Sequence, residues 1–366
     1  MPKILTEVTR IRFLAIVAVV AIHILNLPVS NLQVGSLWQG FFFMLRGVLI
    51  FAVPLFLYLS LFLVGKSAQK GFEAKTFYKK KAFRVLMPFI IWTGLYLGLD
   101  VLLGKYGVSD FLNLSNYLKW FLLGKAWEHL YFLPILIEFL LLAPLMVKLV
   151  QKIGDNILVG FLFAFVPQVL FFYTNRYFYH NFEFKYLMTT CFWHWYAGFF
   201  GLWCGYYYES LKEKLIKYAK PILGLFMLSL GGHLFYTKKL WVSLWEAQSF
   251  STFIYTLNIN LYAMLVALTL LIFFIGRGEV RGKVALVSHY SFGIYLIHPV
   301  LTLFIRQFVQ TSSGVLWLIL VPVCLVLTVV ISLFATYLVE RCHLNGILFG
   351  EKIKKDEQKM TKCKFL

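Results

Sequence analysis

The stretch IRFLAIVAVVAIHI, residues 11–24, is apolar apart from Arg12 and His23. A helix that only anchors a chain in lipid needs neither group. On a helix, the eleven residues from Arg12 to His23 rise by about 16 Å. That carries the imidazole about halfway across a hydrocarbon core of roughly 30 Å. The stretch therefore predicts a membrane helix with a titratable ring buried near mid-depth and a cation at its starting edge.

The rest of the chain agrees with a membrane setting. Of 366 residues, 60% are hydrophobic and 19% aromatic, including 38 Phe, 21 Tyr and 10 Trp. Only 14% are charged, against about 25% in ordinary soluble domains, and the mean hydropathy is +0.77. Apolar runs long enough to cross a bilayer recur along the whole length, which argues helices rather than the weak alternation of a barrel. The expected fold is an all-α polytopic transmembrane bundle of about ten spans: 13–29, 43–64, 86–104, 129–149, 157–173, 189–208, 221–236, 253–275, 285–305 and 315–338. The fifth and seventh are short enough to be tilted or partly re-entrant. A first unit over 1–342 and a basic tail over 343–366 make up the expected domain plan.

A net charge of +19 raises nucleic acid as a partner, but the placement of the charge answers it. With connections assigned alternately to two sides, 26 of the 35 Lys and Arg fall on the side of the N-terminus and the C-terminal tail. The positive-inside rule puts that side, with both termini, in the cytoplasm, and ten spans give the same parity. Topology accounts for the basic loops, so no nucleic-acid partner is expected. The first segment has the basic flank of a signal peptide but no small-residue cleavage site before Asn31, so it reads as a retained helix. Cys191, Cys204, Cys324, Cys342 and Cys363 follow no metal or disulfide spacing. No metal site is expected.

Helices satisfy their own backbone, so polar side chains within the spans are functional candidates. His23, Arg46, Glu138, His194 and His298 stand out. His298, in SFGIYLIHP (291–299), lies fifteen residues beyond Lys283, a rise of about 22 Å. Spans one and nine both leave the cytoplasm, so His23 and His298 reach comparable depths, and either they share a polar cavity or each makes a packing contact across helices. Neutral imidazole takes and returns a proton near neutrality, which suits deprotonation of an alcohol attacking an activated acyl group. Glu138 either orients an imidazole or packs protonated. Tyr295 is a candidate lining residue, Arg46 borders the outer surface, and His194, within WHW, reads as part of an interfacial aromatic belt. In FYKKKAFRVLMPF (77–89), Lys80, Lys81 and Arg84 lie one turn apart where the third span begins. They suit a phosphorylated cytosolic ligand, a topology signal or anionic lipid.

Together these residues resemble the bacterial membrane acyltransferases of the acyltransferase 3 family. Arg12 and His23 match its Arg-then-His spacing in the first helix. Lys80, Arg84 and Pro88 match its RxxxR-like motif before a proline, with lysine at the first position. FAVPLFLYLS (51–60), EHLYFLPILIEFLLLAPLM (128–146) and SFGIYLIHP (291–299) are similar to its second-helix, fourth-helix and late signatures. The layout, with GFFGLWCGYYYES (198–210), is similar to the intercellular-adhesin branch associated with poly-β-1,6-N-acetylglucosamine.

The resemblance implies a multi-pass protein of the bacterial plasma membrane that moves an acetyl or succinyl group from cytoplasmic acyl-CoA to a hydroxyl of a cell-surface polysaccharide. His23 would be the general base, and Arg12, Lys80, Lys81 and Arg84 would hold the acyl-CoA phosphates. Glu138, Tyr295 and His298 would be cavity residues. Acyl-CoA is then a substrate, with no permanently bound cofactor. The lipid bilayer and a carbohydrate acceptor are the expected partners, with room for a polysaccharide synthase. The alternative is a polysaccharide exporter that makes no bond. Few in-span charges and no symmetric pair of broken helices favour the enzyme.

Overall fold

The computed structural model describes residues 5–182, 189–246 and 252–350, and among them every regular element is helical. Hydrocarbon offers backbone groups no partner, so apolar runs satisfy them internally. In chain order the long helices are α1 (Thr6–Asn31), α2 (Leu37–Val48), α3 (Ala52–Ala68), α4 (Ala74–Leu102), α5 (Phe132–Ile153), α6 (Ile157–Phe182), α7 (Trp195–Tyr206), α8 (Tyr208–Lys217), α9 (Ala219–Glu246), α10 (Thr252–Phe274), α11 (Gly282–His289), α12 (Ser291–Phe308) and α13 (Gly314–Arg341). Among the described residues, seven segments are long and apolar enough to cross a membrane, α2 and α3 counting as one through a 3₁₀ turn. The number rises to nine if two bent pairs are counted, α8 with α9 at 80° and α11 with α12 at 77°. The all-α polytopic bundle expected from composition is therefore present. Residues 351–366 of the expected tail lie outside the described residues.

One expected span takes an unexpected form. The run 189–208 becomes a 3₁₀ turn over Cys191–His194 followed by α7, a helix of 12 residues. At 1.5 Å per residue that is about 18 Å, short of the hydrocarbon core. Every residue from Tyr196 to Gly205 is nevertheless buried. The cause is its contact with α3, which runs parallel to it. A Cβ on Gly201 would lie 2.3 Å from the Tyr58 carbonyl oxygen, and one on Gly205 would lie 1.9 Å from that of Phe62. On the facing helix, a Cβ on Gly65 would lie 2.0 Å from the Leu202 carbonyl oxygen. Gly201 and Gly205 form a small-xxx-small stripe that lets two backbones touch. α7 is thus a wedge at the centre of the bundle.

At the face where α1 begins, the aromatic end of α7 is stitched to the α5–α6 turn. Trp203 Nε1 donates to Gly154 O at 2.9 Å and the Tyr207 hydroxyl donates to Val150 O at 3.1 Å. In that turn Asp155 accepts from Lys214 at 2.6 Å and from the Ser210 hydroxyl. Hydrogen bonds from Lys214 and then Ser210 hold the Asp155 carboxyl below the usual carboxylate range. A lowered folded-state value means the pair stabilises fully above the unfolded value of about 3.9 and is lost as pH falls through the lowered one. Acidification below about pH 4 should therefore cost the native protein stability that Asp155→Asn does not lose. The effect is small, since exposed pairs contribute about 0.2–1 kcal/mol. Thermal melts of both proteins at neutral and acid pH check it, and parallel acid losses would remove the role.

Candidate active site

α1 and α12 set the two expected histidines side by side. The His23 and His298 rings lie 5.0 Å apart, centroid to centroid, edge to face. A third imidazole, His129, stands 5.8 Å from His298. It comes from the segment just before α5, where Gly124, at φ +62°, approaches so closely that a Cβ would lie 2.5 Å from Tyr131 Cα. Only glycine allows that closure, and it fixes the Glu128–Tyr131 turn against the bundle.

Around the rings the hydrogen bonds are made to backbone. The Tyr295 hydroxyl donates to the His129 carbonyl, and the Tyr96 hydroxyl donates to Leu296 O at 2.6 Å. His298 Nδ1 lies 3.0 Å from Ile294 O. A carbonyl only accepts, so Nδ1 carries the proton and Nε2 of the neutral ring bears a lone pair. That Nε2 is buried, as are both ring nitrogens of His129, and none of the three has a partner among the described residues.

His23 is half-buried and sits where two cavities meet. The outer one, about 850 Å³, is lined by charged and hydroxyl groups together with Trp127 and Tyr106. Arg46 reaches it and donates to Asn26 at 2.8 Å. Lys105 pairs with Asp100 at 2.7 Å while lying 4.5 Å over the Trp127 ring. The inner cavity, about 420 Å³, has mainly apolar and aromatic walls, from Val19, Ile22, Val53, Pro54 and Tyr196. His23, Glu128 and Tyr131 line both.

Eleven residues back along α1, Arg12 joins a second cluster. Lys81 on α4 feels Arg84 and Arg12 as its charged neighbours. Among the described residues, none of these three cations has a carboxylate or hydrogen-bond partner in the structure. The side chain of Lys80 lies outside the described ones.

The sequence-derived candidates divide accordingly. His23, His298 and Tyr295 converge on one site, and Arg12, Lys81 and Arg84 on another. Glu138 lines neither cavity at His23, because its carboxylate accepts from the Cys191 N–H at 2.6 Å. Helix phase on α5 turns it towards the turn that precedes α7. His194, read as part of an interfacial belt, lines the inner cavity instead. Sequence reasoning passed over Glu128 and His129. Their signal was the first two letters of EHLYFL, an acid and an imidazole at the edge of an apolar run.

The acyltransferase 3 family model, described as an acyltransferase domain, matches residues 6–337. This chain belongs to that family. Curated relatives include the probable poly-beta-1,6-N-acetyl-D-glucosamine export proteins of Staphylococcus aureus strains MRSA252 and MSSA476. Each is 24% identical over 310 residues, which cover 82% of this chain and 83% of the relative. No solved structure matches the chain. Family membership supports acyltransferase activity, and with the apolar helices it makes this acyltransferase 3 member a multi-pass bacterial membrane protein.

Proposed function

We propose that this protein moves an acetyl or succinyl group from cytoplasmic acyl-CoA to a hydroxyl of a cell-surface polysaccharide, with His23 as the general base. The observation that carries the reading is His23 at the junction of a polar, aromatic outer cavity and an apolar inner one. A sugar suits the first, with Tyr106 as a face for its apolar side and hydroxyls and charges for its polar groups. A thioester arm suits the second. Arg12, Lys81 and Arg84, unpaired with any described acid, suit the CoA phosphates from the basic face of the protein. On this orientation both termini lie in the cytoplasm.

The chemistry follows from the placement. The acceptor hydroxyl gives its proton to His23 as its oxygen attacks the thioester carbonyl carbon. The carbon–sulfur bond breaks, and the imidazolium returns the proton to the departing thiolate, leaving ester and free CoA thiol. Glu128 lines the same two cavities as His23, and its carboxylate would stabilise the imidazolium that forms between the two transfers, an electrostatic role that grows with the charge.

Export is the second reading, since the relatives carry that name. It calls for a hydrated path between the two faces, whereas the inner cavity is walled mainly by apolar side chains. Purified protein in sealed vesicles, given labelled acetyl-CoA and poly-N-acetylglucosamine on opposite sides, separates them. Label in the polymer supports the transferase; polymer movement without label supports the exporter.

The phosphate role has its own test. Arg84→Ala should raise the apparent KM for acyl-CoA about tenfold, the loss of one charge-assisted contact, with kcat little changed. Initial rates over a range of acetyl-CoA concentrations measure this. An unchanged KM removes Arg84 from the donor site.

A further inference from the structure

From the geometry of the imidazole cluster we infer that His298 is a positioning residue for His23, and that its Nε2 lone pair receives the N–H of the imidazolium formed when His23 takes the substrate proton. This rests on the reading of His23 as the base. His298 itself moves no proton. The one proton in play passes from the acceptor hydroxyl to His23 and on to the thiolate.

Three observations carry it. The Nδ1 contact to Ile294 O at 3.0 Å fixes the tautomer and leaves Nε2 as an acceptor. That acceptor is buried without a donor, an arrangement that costs free energy until a donor arrives. The nearest neighbouring imidazole is His23, at 5.0 Å and edge to face, and it is the ring that opens to both cavities. His129 is farther from His298, at 5.8 Å, and borders only the inner of the two cavities. The seat is stiff, because Tyr96 holds the backbone of α12 at Leu296, two residues before His298.

The consequence is an interaction strongest in the transition state. Neutral His23, with its basic nitrogen turned to the reaction, carries its one N–H on the nitrogen that faces His298. Once His23 carries a second proton, that same N–H belongs to a cation and its bond to His298 strengthens. Contacts that strengthen as charge develops raise kcat rather than substrate affinity. No hydrogen bond joins His298 Nε2 to a described residue, and catalytic contacts in unliganded sites often tighten only when substrate is bound.

The test is a graded set at one position. His298→Gln can bring an amide oxygen close to the place of Nε2. His298→Asn keeps a donor for Ile294 O but is too short to reach His23, and His298→Phe supplies neither. The expected result is a fall in kcat of about a hundredfold for Asn and Phe, partial rescue by Gln to within about tenfold, and an unchanged KM for acetyl-CoA in all three. Equal losses in Gln and Asn, or a change in KM alone, overturn the inference. If Phe fails to accumulate in the membrane, the Asn and Gln pair still decides. His23→Ala, measured alongside, keeps the outcomes apart: transfer that survives it sinks the base reading, whereas its loss with wild-type kcat in all His298 variants sinks only the role of His298.

Discussion

His23→Ala is expected to lower acyl transfer by about a hundred- to ten-thousand-fold, the usual contribution of a positioned general base, while the protein still inserts and accumulates. The ring borders two existing cavities, so truncation enlarges open space instead of leaving a sealed void among packed side chains. The cost in stability should be correspondingly small. In cells, the acyl content of the polymer should fall while the amount of polymer outside is kept. Measured in vesicles, kcat and kcat/KM should drop together, because the base acts in the transition state. His23→Gln should not restore the rate, since an amide accepts hydrogen bonds but does not take up a proton at neutral pH. Normal acylation in His23→Ala, or polymer trapped inside with its acyl groups intact, would be fatal to the mechanism.

The second large effect is on folding. Gly205→Val should leave little folded protein, because the new Cβ would sit 1.9 Å from the Phe62 carbonyl oxygen and 2.7 Å from its carbonyl carbon. Ordinary van der Waals contact begins at 3.4 Å, so α3 and α7 would need roughly 1.5 Å more room. Overpacking a core usually costs about 1–3 kcal/mol, and a collision with backbone on a fully buried wedge exceeds that range because no side chain can rotate away. Against a total stability of about 5–15 kcal/mol, such a loss empties the folded state. Gly201→Val and Gly65→Val should behave alike. Gly98→Ala on α4 is the control: a Cβ there meets nothing within 4 Å, and alanine is the better helix former by about 1 kcal/mol. Size-exclusion profiles and melting temperatures of detergent-solubilised variants compare them. A monodisperse Gly205→Val protein melting like the wild type would show that the helices part freely.

Part of the site is legible in the linear order of residues. The spacing from Arg12 to His23 sets the imidazole about 16 Å along α1 from the arginine because helical rise is fixed. His298 does meet His23, but not by a straight rise from Lys283, because the chain bends by 77° between α11 and α12. Lys81 and Arg84 gather with Arg12, which the sequence suggests only by putting all three at the same face. Glu138 is drawn in by hydropathy alone. Its depth is readable but its direction is not, and it faces Cys191 instead. Glu128 and His129 escape notice because the connecting turn has no period to say where its side chains point.

By itself the sequence determined that this is a helical membrane protein and which connections carry the positive charge. Those properties are local, since composition, rise per residue and the need to satisfy the backbone in hydrocarbon act on each segment separately. Only the tertiary structure decided which way each helix turns about its axis, that 189–208 shortens into a glycine-packed wedge, and that three imidazoles and Glu128 share one neighbourhood. Rotation and contact depend on how pairs of surfaces fit, and no single segment contains its partner.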